Sequence, residues 1–282
     1  MSTRTRRIIR RTIFHLIVGL LGFVMVYPLL WMVASSFKER SVIFRESYKL
    51  IPDPFTVENY IRGWQGFAGI GFDVFFKNSF YVSIMTTIGQ VISSSVIAYG
   101  FARIRFRGRN FWFVMMMVSM MLPSQIVMIP QFIQFNALGW VGSYKPLIIP
   151  AFLGSGFFVF LIMQFISGVP RELDEAARID GCSTYSIYFR IILPLTTSAL
   201  VTTALFSFMW TWDNFFGALL YLNNPRMYTV AIALKNFADP TSSTDWGAIF
   251  AMSTLSMLPI LVVFLSLQRF LVEGISTTGL KG

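Results

Sequence analysis

The chain has 282 residues, of which 55% are hydrophobic and only 13% are charged, and this composition excludes an ordinary water-soluble globule. A soluble protein of this size needs more charged side chains to cover its surface, whereas a surface that faces lipid does not. One cysteine and one histidine exclude a disulfide framework and a Cys/His metal cluster. We therefore expect an integral membrane protein without a metal site.

The first spanning helix is predicted over residues 12–37. This stretch contains no charged residue, and five arginines precede it. It is long enough to cross about 30 Å of hydrocarbon and is longer than the core of a secretory signal. We expect a retained helix whose amino end lies in the cytoplasm. Apolar stretches of similar length predict five more spans, at residues 78–102, 111–135, 146–169, 194–222 and 246–267.

Six spans place both termini on one side of the membrane, and the charges indicate which side. Fourteen of the 23 Lys and Arg residues fall in the segments predicted to be cytoplasmic. With the acidic residues included, those segments carry +9 and the three outer loops carry +2. Positive segments remain in the cytoplasm, so both termini are expected there. The prediction is an all-α polytopic protein with one domain over residues 1–282, whose net charge of +10 needs no nucleic acid as an explanation.

The third predicted span contains two prolines, Pro123 and Pro130, which lie seven residues apart on one helical face. Each removes a backbone hydrogen bond and favours a kink. Two interpretations stay open, a kink that serves packing and a helix that bends as a pathway opens. Gln125, which follows the first proline, is a candidate pathway residue.

A polar stripe at helical spacing runs along the fifth predicted span. Small hydroxyl groups in membrane helices commonly mediate helix packing. Trp210, Asp213 and Asn214 also suit a polyhydroxylated solute, because they combine an aromatic face with groups that form hydrogen bonds. Asp213 equally suits an interfacial position beside a neighbouring chain. The stripe consists of Thr196, Thr203, Ser207, Trp210 and Asn214.

The loop between the fourth and fifth spans, residues 170–193, is predicted to form a helix, a turn and a second helix. Pro170 suits a first helical position, and the acids that follow it complement the amino end of a helix dipole. Gly181 suits a left-handed stop, and Ser183 is placed to cap the second helix, which runs up to Pro194. The acids are Glu172, Asp174 and Glu175.

Within this loop, Glu175-Ala176-Ala177, Asp180-Gly181 and Leu193-Pro194 resemble the EAA loop of the membrane subunits of binding-protein-dependent ABC importers. Other stretches are similar to the sugar-importer permeases of the maltose type, and the resemblance covers nearly the whole chain. They are Ala98 to Arg103, Met121-Leu122-Pro123, Trp212-Asp213-Asn214-Phe215 and Gly279-Leu280-Lys281-Gly282. The chain departs from the group at Asp213, where Trp-Asn-Glu is the more usual run, and the role of this position stays open.

The resemblance implies a transport subunit rather than an enzyme, in the cytoplasmic membrane of a bacterium or an archaeon. The implied partners are a second homologous permease in a heterodimer, two ATP-binding cassette ATPases and an extracytoplasmic binding protein that delivers a sugar or oligosaccharide. No cofactor is expected on this chain, and ATP and Mg are expected on the ATPases. In agreement, the sequence contains no Gly-Lys dipeptide and therefore no phosphate-binding loop of the usual kind.

The resemblance also implies roles for residues. Leu173, Ala176 and Ala177 are expected to form a close contact face for an ATPase, and acids beside them to meet its basic groups. The tail, residues 273–282, resembles a segment that reaches toward the ATPase pair, and a frayed end is the alternative. The candidate coupling residues are Glu172, Leu173, Glu175, Ala176, Ala177, Asp180 and Gly181. The candidate pathway residues are Gln125, Ser207, Trp210, Asp213 and Asn214.

Other function classes fit the sequence less well. A permease of the same kind for a non-sugar solute is the nearest alternative. A membrane enzyme would need Asp213 within hydrogen-bond reach of Glu175 or Asp180, which the predicted topology places on the other side of the membrane. An ion-coupled carrier needs no EAA loop and commonly has more intramembrane charge than one Asp.

Overall fold

A computed structural model describes residues 3–237 and 244–279 of the chain, without the side chains of residues 3–6, 8 and 272–279. Helices account for most of these residues, and the described ranges contain two isolated β-bridges but no strand. The predicted all-α class is confirmed.

The helices follow one another with short connections, and the longest irregular segment lies between the first two. The chain divides into two compact units, Met1–Phe72 with Leu234–Met257 and Asp73–Ala233 with Leu258–Gly282. In chain order the α-helices are α1 (Thr3–Ser36), α2 (Glu58–Trp64), α3 (Phe72–Arg103), α4 (Arg109–Met121), α5 (Ser124–Ala137), α6 (Lys145–Ile148), α7 (Gly156–Gly168), α8 (Glu172–Ile179), α9 (Thr184–Ile187), α10 (Leu193–Leu195), α11 (Thr197–Trp212), α12 (Phe215–Tyr221), α13 (Val230–Phe237) and α14 (Trp246–Gly279). Short 3-10 helices at Ile149–Leu153 and Pro225–Met227 and a π-helical turn at Tyr188–Ile192 complete the helical segments of the described ranges.

Four segments of the described chain are individually long and apolar enough to cross a membrane, and two bent pairs of helices bring the number to as many as six. The prediction of six spans is therefore confirmed by length and composition when each bent pair counts as one crossing. The third predicted span is the pair α4 and α5, and the fifth corresponds to the pair from Thr184 to Trp212. The four single segments are Ile9–Ser36, Phe72–Arg103, Lys145–Gly168 and Trp246–Leu271.

The third span is broken rather than kinked. The axes of α4 and α5 differ by 102°, and the break lies at Leu122 and Pro123. Proline pushes the residue before it out of the helical region, and Leu122 has an extended ψ of 123°. Pro130 lies inside α5 without ending it. The predicted span over residues 111–135 therefore consists of two helices, and the interruption lies at Pro123, where the sequence predicted a kink.

The fifth span also differs from the prediction of residues 194–222. A bend of 75° separates the stretch that ends at Leu195 from α11, and α11 ends at Trp212. Asn214 then starts α12, because its Oδ1 accepts a hydrogen bond from the backbone N–H of Gly217 at 3.0 Å. Asp213 therefore lies in a turn between two helices rather than inside one.

In the first unit, buried polar side chains fix the long loop that follows α1. Lys38 is only 1% exposed, and its Nζ donates hydrogen bonds to the carbonyl oxygens of Glu46 and Lys49 at 3.0 and 2.5 Å. Burial lowers the pKa of this ammonium group, which lies outside the spanning helices. Asn59 of α2 donates to the carbonyl oxygens of Ser36 and Lys38 at 2.8 and 2.7 Å. The loop is thus tied at both ends to the carboxyl end of α1.

The core of the second unit lies where α3, α7 and the helices after α8 meet. Ile162 and Ile166 of α7 are 0% and 1% exposed, and they belong to one buried cluster with Ala98 and Ala102 of α3. Small side chains on α3 permit the close approach that membrane helices use in place of a hydrophobic driving force. Ala177 of α8 belongs to the same cluster, so α8 is packed against the spanning helices.

Candidate coupling surface and solute cavity

The predicted helix-turn-helix of residues 170–193 is present, with α8 as its first helix. Gly181 has a φ of +80°, the left-handed conformation that the sequence predicted for the stop. The second helix begins as predicted, with Ser183 Oγ accepting a hydrogen bond from the N–H of Ser186 at 3.2 Å. Pro170 differs from the prediction, because the cap of α8 is Arg171 and Pro170 precedes it.

A buried ion pair holds α8 against the carboxyl end of α3. Nε of Arg103 and Oδ2 of Asp174 lie 3.0 Å apart, and the two side chains are only 3% and 7% exposed. The pair lacks the alignment of a hydrogen bond, and Oδ1 of Asp174 has no hydrogen-bond partner among the described residues. Nη2 of Arg103 also donates to the carbonyl oxygen of Val169 at 2.6 Å. One guanidinium group therefore fixes both α8 and the segment that leads into it.

The two alanines of the EAA run have opposite environments. Ala177 is 6% exposed and packs into the core of the unit, whereas Ala176 is exposed. The structure thus differs from the predicted contact face at Ala177, because the helical repeat places this residue beside Asp174 on the inner side of α8. The exposed face of α8 is defined as the side that carries Glu172, Leu173, Ala176 and Ile179, together with Asp180 directly after the helix.

The second helix of this segment is fixed to α3 as well. The hydroxyl groups of Ser95 and Tyr188 are 2.7 Å apart, and Tyr99 donates to the carbonyl oxygen of Thr184 at 3.3 Å. The rings of Tyr99 and Tyr188 also contact each other, with centroids 5.0 Å apart. Both helices of the segment are therefore bound to one spanning helix, and this arrangement can transmit a displacement as a rigid piece.

A cavity of about 530 Å³ lies in the second unit and brings two of the predicted pathway residues together. Gln125, at the start of α5, and Asn214, at the start of α12, both line it. Gln131 and Ser124 add further hydrogen-bonding groups, and none of the described side chains that line the cavity is charged. The arrangement suits a neutral solute that offers hydroxyl groups.

The other three predicted pathway residues lie elsewhere. Ser207 is 2% exposed inside the protein, and its hydroxyl group has no hydrogen-bond partner among the described residues. Trp210 packs against the rings of Phe157 and Phe158, each with its centroid at 5.3 Å. Asp213 is exposed in the turn after α11, where its carbonyl oxygen accepts from the N–H of Phe215 at 2.8 Å. The predicted stripe therefore contributes to packing over most of its length and reaches the cavity only at Asn214.

Sequence reasoning missed three residues of these sites. The sequence assigned Asp174 a role only as an acid that complements the helix dipole. Arg103 was noted only as part of a stretch that resembles the maltose-type permeases, and Gln131 was not among the candidate pathway residues. A helical projection of α8 would have placed Asp174 on the same side as Ala177, and this is the available signal for a buried carboxylate. A buried carboxylate needs a cation, and Arg103 ends the preceding spanning helix.

Neither site contains a group of His, Cys, Asp and Glu residues that could hold a metal ion, within the ranges that the structure describes. The predicted tail, residues 273–282, continues α14 as far as Gly279. Its last three residues, and the side chains of residues 273–279, lie outside the described part of the chain.

Comparison with known proteins identifies the family. The family described as binding-protein-dependent transport system inner membrane component matches residues 90–277. The probable ABC transporter permease protein YurM of Bacillus subtilis is 35% identical over 91% of this chain and 84% of its own length. The arabinooligosaccharides transport system permease protein AraQ of Halalkalibacterium halodurans is 33% identical over 93% of both chains. The trehalose/maltose transport system permease protein MalG of Thermococcus litoralis is 32% identical over 95% of this chain and 96% of its own.

Among solved structures, a chain of a bacterial ABC transporter involved in the import of the acidic polysaccharide alginate has the same fold. The TM-score is 0.83 at 20% identity, and the match covers 95% of this chain and 98% of the other. The family match covers more than half of the chain, and the sequence identity with the three permeases exceeds 30%. The chain belongs to the family of binding-protein-dependent transport system inner membrane components, the permease subunits of ABC importers.

Proposed function

We propose that this permease forms one half of a translocation pathway for a sugar or oligosaccharide. The observation that carries the proposal is the cavity with Gln125 and Asn214, which offers amide groups and no charged side chain among the described residues. Amides donate and accept hydrogen bonds, as the hydroxyl groups of a saccharide do. Relatives named for arabinooligosaccharides and for trehalose and maltose support the same substrate class.

The proposed complex contains a second homologous permease, two ATPase subunits and an extracytoplasmic binding protein. ATP and Mg are proposed to bind the ATPases, and no cofactor is proposed for this chain. The exposed face of α8 is proposed to contact an ATPase, with Leu173 and Ala176 as its apolar part and Glu172 and Asp180 as acids beside them. Glu175 and Gly181 complete the coupling segment. The family membership supports such partners in general, and the specific composition is our proposal.

Transport is proposed to follow alternating access. Closure of the ATPases on ATP displaces α8, and α8 carries the displacement to α3 through the buried pair of Arg103 and Asp174. The bent junction at Pro123 joins α4 to α5, which lines the cavity, and a second bent junction at Thr196 joins α10 to α11. Such junctions are where a change in helix angle costs least, because the regular hydrogen-bond ladder is already interrupted there. Only contacts that differ between the two states can drive the change.

The substrate class is tested by uptake into proteoliposomes that contain the complete importer and its binding protein. Neutral arabino- and malto-oligosaccharides are compared with an acidic oligosaccharide and with glycerol 3-phosphate. We expect ATP-dependent uptake of a neutral saccharide and none of the phosphorylated solute, because the described lining of the cavity offers no cation to a phosphate group. Uptake of the phosphorylated solute alone would contradict the proposal.

The cavity itself is tested by the variant Gln125→Ala. Loss of one amide group should raise the KM for saccharide uptake about five- to tenfold, which corresponds to one hydrogen bond of about 1 kcal/mol or slightly more. Gln134→Ala is the matched control, because Gln134 is an exposed residue of the same helix, α5, that does not line the cavity. Equal KM values for the two variants would show that the cavity is not part of the translocation pathway.

A further inference from the structure

A second cavity, of about 470 Å³, lies beside α8, and its lining shares no residue with the exposed coupling face. Arg105, Arg171 and Arg178 line it, and none of the three forms an ion pair with another residue in the described part of the chain. Glu175 is the acid in the lining that has no cation, since Asp174 is already paired with Arg103. The cavity therefore has an excess of positive charge and suits an anion.

An apolar groove of about 620 Å³ continues from this cavity, because Ile104 and Thr184 line both. The groove follows the last turns of α3, and Gly100 lines it as well. A Cβ atom added to Gly100 would meet no other atom within 4 Å, so the space above this residue is open. The exposed side chains along the groove are Val96, Ile104, Tyr185 and Phe189.

The position of the two spaces along α3 corresponds to the boundary of a bilayer. Arg103 is the last residue of the spanning segment, and Gly100 lies about one turn inside it. Beyond this end, Phe106, Phe111 and Trp112 are 41%, 61% and 58% exposed. Exposed aromatic residues at the end of a spanning helix are typical of the membrane interface. The arginine cavity thus lies at headgroup depth, and the groove runs toward the hydrocarbon.

We propose that these two spaces form one binding site for an anionic phospholipid. The phosphate-bearing headgroup contacts Arg105, Arg171 and Arg178, and one acyl chain occupies the groove over Gly100. Arginine is well suited to phosphate because its donors form a planar fork. An acidic segment of a partner protein would satisfy the arginines but would leave an apolar groove unfilled at hydrocarbon depth. A bound lipid would contact both α3 and α8, and it would therefore adjust coupling if the proposed function is correct.

The experiment measures lipid retention by the purified complex. The complex is reconstituted in phosphatidylcholine nanodiscs that contain a minor fraction of phosphatidylglycerol, and the phosphatidylglycerol that remains after extraction into detergent is quantified by mass spectrometry. Two site variants are compared, Arg105→Gln/Arg178→Gln, which removes charge, and Gly100→Leu, which adds a side chain to the groove at a position where a Cβ atom meets no other atom within 4 Å. The matched controls are Arg107→Gln/Arg109→Gln, outside the cavity lining, and Gly22→Leu, where a Cβ also meets no atom within 4 Å.

We expect both site variants to retain several-fold less phosphatidylglycerol than the natural sequence and both controls to retain as much. Equal retention by all five proteins would overturn the proposal. A loss in the arginine variant but not in Gly100→Leu would show that the headgroup binds the arginines without an acyl chain in the groove, and it would overturn the proposal that the two spaces form one site. Poorer recovery of an ATPase or of the second permease, with lipid retention unchanged, would indicate a protein occupant. Retention is measured without a solute, so it is independent of whether the transported solute is a sugar.

Discussion

At the scale of single residues, Asp174 is the position where the largest effect is expected. Asp174→Asn leaves the guanidinium group of Arg103 buried without its anion, and breaking a buried pair from one side costs about 3–5 kcal/mol. We expect fewer solute molecules transported per ATP hydrolysed, because α8 is no longer held to α3. The measurement is the ratio of uptake to ATP turnover in proteoliposomes.

Asp73→Asn is the matched control for that variant. Asp73 also pairs with a cation, Lys77, at 2.8 Å, but the side chains are 41% and 76% exposed. An exposed pair contributes at most about 1 kcal/mol, so this variant should keep the ratio of the natural sequence. The double variant Arg103→Leu/Asp174→Leu leaves no buried charge and should recover stability without recovering the ratio. An unchanged ratio of uptake to ATP turnover in Asp174→Asn would show that the pair does not transmit the displacement from α8 to α3.

Gly247 of the first unit is closely packed against the side chain of Asn59. A Cβ atom at this position would overlap the side-chain amide of Asn59, which is 1% exposed and holds the carboxyl end of α1. Gly247→Ala should therefore lower the free energy of unfolding by about 1–3 kcal/mol through overpacking. Thermal unfolding of the purified permease in detergent gives the measurement. Gly19→Ala, which meets no atom within 4 Å, should leave the midpoint unchanged or raise it slightly.

At the scale of elements, one side of α8 packs against the core of this chain, and the exposed side is proposed to contact an ATPase. Ala176→Trp adds a ring to the exposed side, so it should prevent association with the ATPase and leave the unfolding midpoint of the permease unchanged. Ala177→Trp forces the same ring into a core where Ala177 is 6% exposed, so it should lower the midpoint. Co-purification and thermal unfolding are measured on both variants. A lower midpoint for Ala176→Trp than for Ala177→Trp would mean that the orientation of α8 is different.

The broken third span shows that the sequence of a helix does not by itself determine whether a proline ends it. Pro123 and Pro130 have the same chemistry, yet only Pro123 ends a helix. Pro130 stays inside α5, where neighbouring groups can satisfy the carbonyl oxygen that a proline leaves free. Which of the two outcomes occurs depends on the packing around each proline, and packing is not contained in the spacing of the residues.

At the scale of the whole molecule, the sequence predicted the class, the number of crossings and the helix-turn-helix of residues 170–193. These features depend on hydropathy, charge and local motifs, which are properties of short segments. It did not predict the pair of Arg103 and Asp174, the inward position of Ala177 or the absence of Trp210 from the cavity. Each of these depends on the rotation of one helix relative to another. A helix such as α3, whose polar and apolar residues are not separated onto two faces, gives few signals of its rotation in the sequence.

Cysteine labelling tests the orientation of the chain in the membrane. In a Cys182→Ser background, the chain has no other cysteine, so a single introduced thiol reports its own position. Ile179 is 87% exposed on α8, and Tyr48 is 74% exposed in the loop after α1. The charge distribution predicts that these residues lie on opposite sides of the membrane.

An impermeant maleimide should therefore label Ile179→Cys only in inside-out vesicles and Tyr48→Cys only in right-side-out vesicles, when the two permeases are produced without ATPases. Addition of purified ATPase to the inside-out vesicles should then protect the thiol at residue 179, because the exposed face of α8 becomes covered. Labelling of both residues from the same side would contradict the topology. Labelling of residue 179 that persists after the ATPase has bound would place the docking surface elsewhere on the permease.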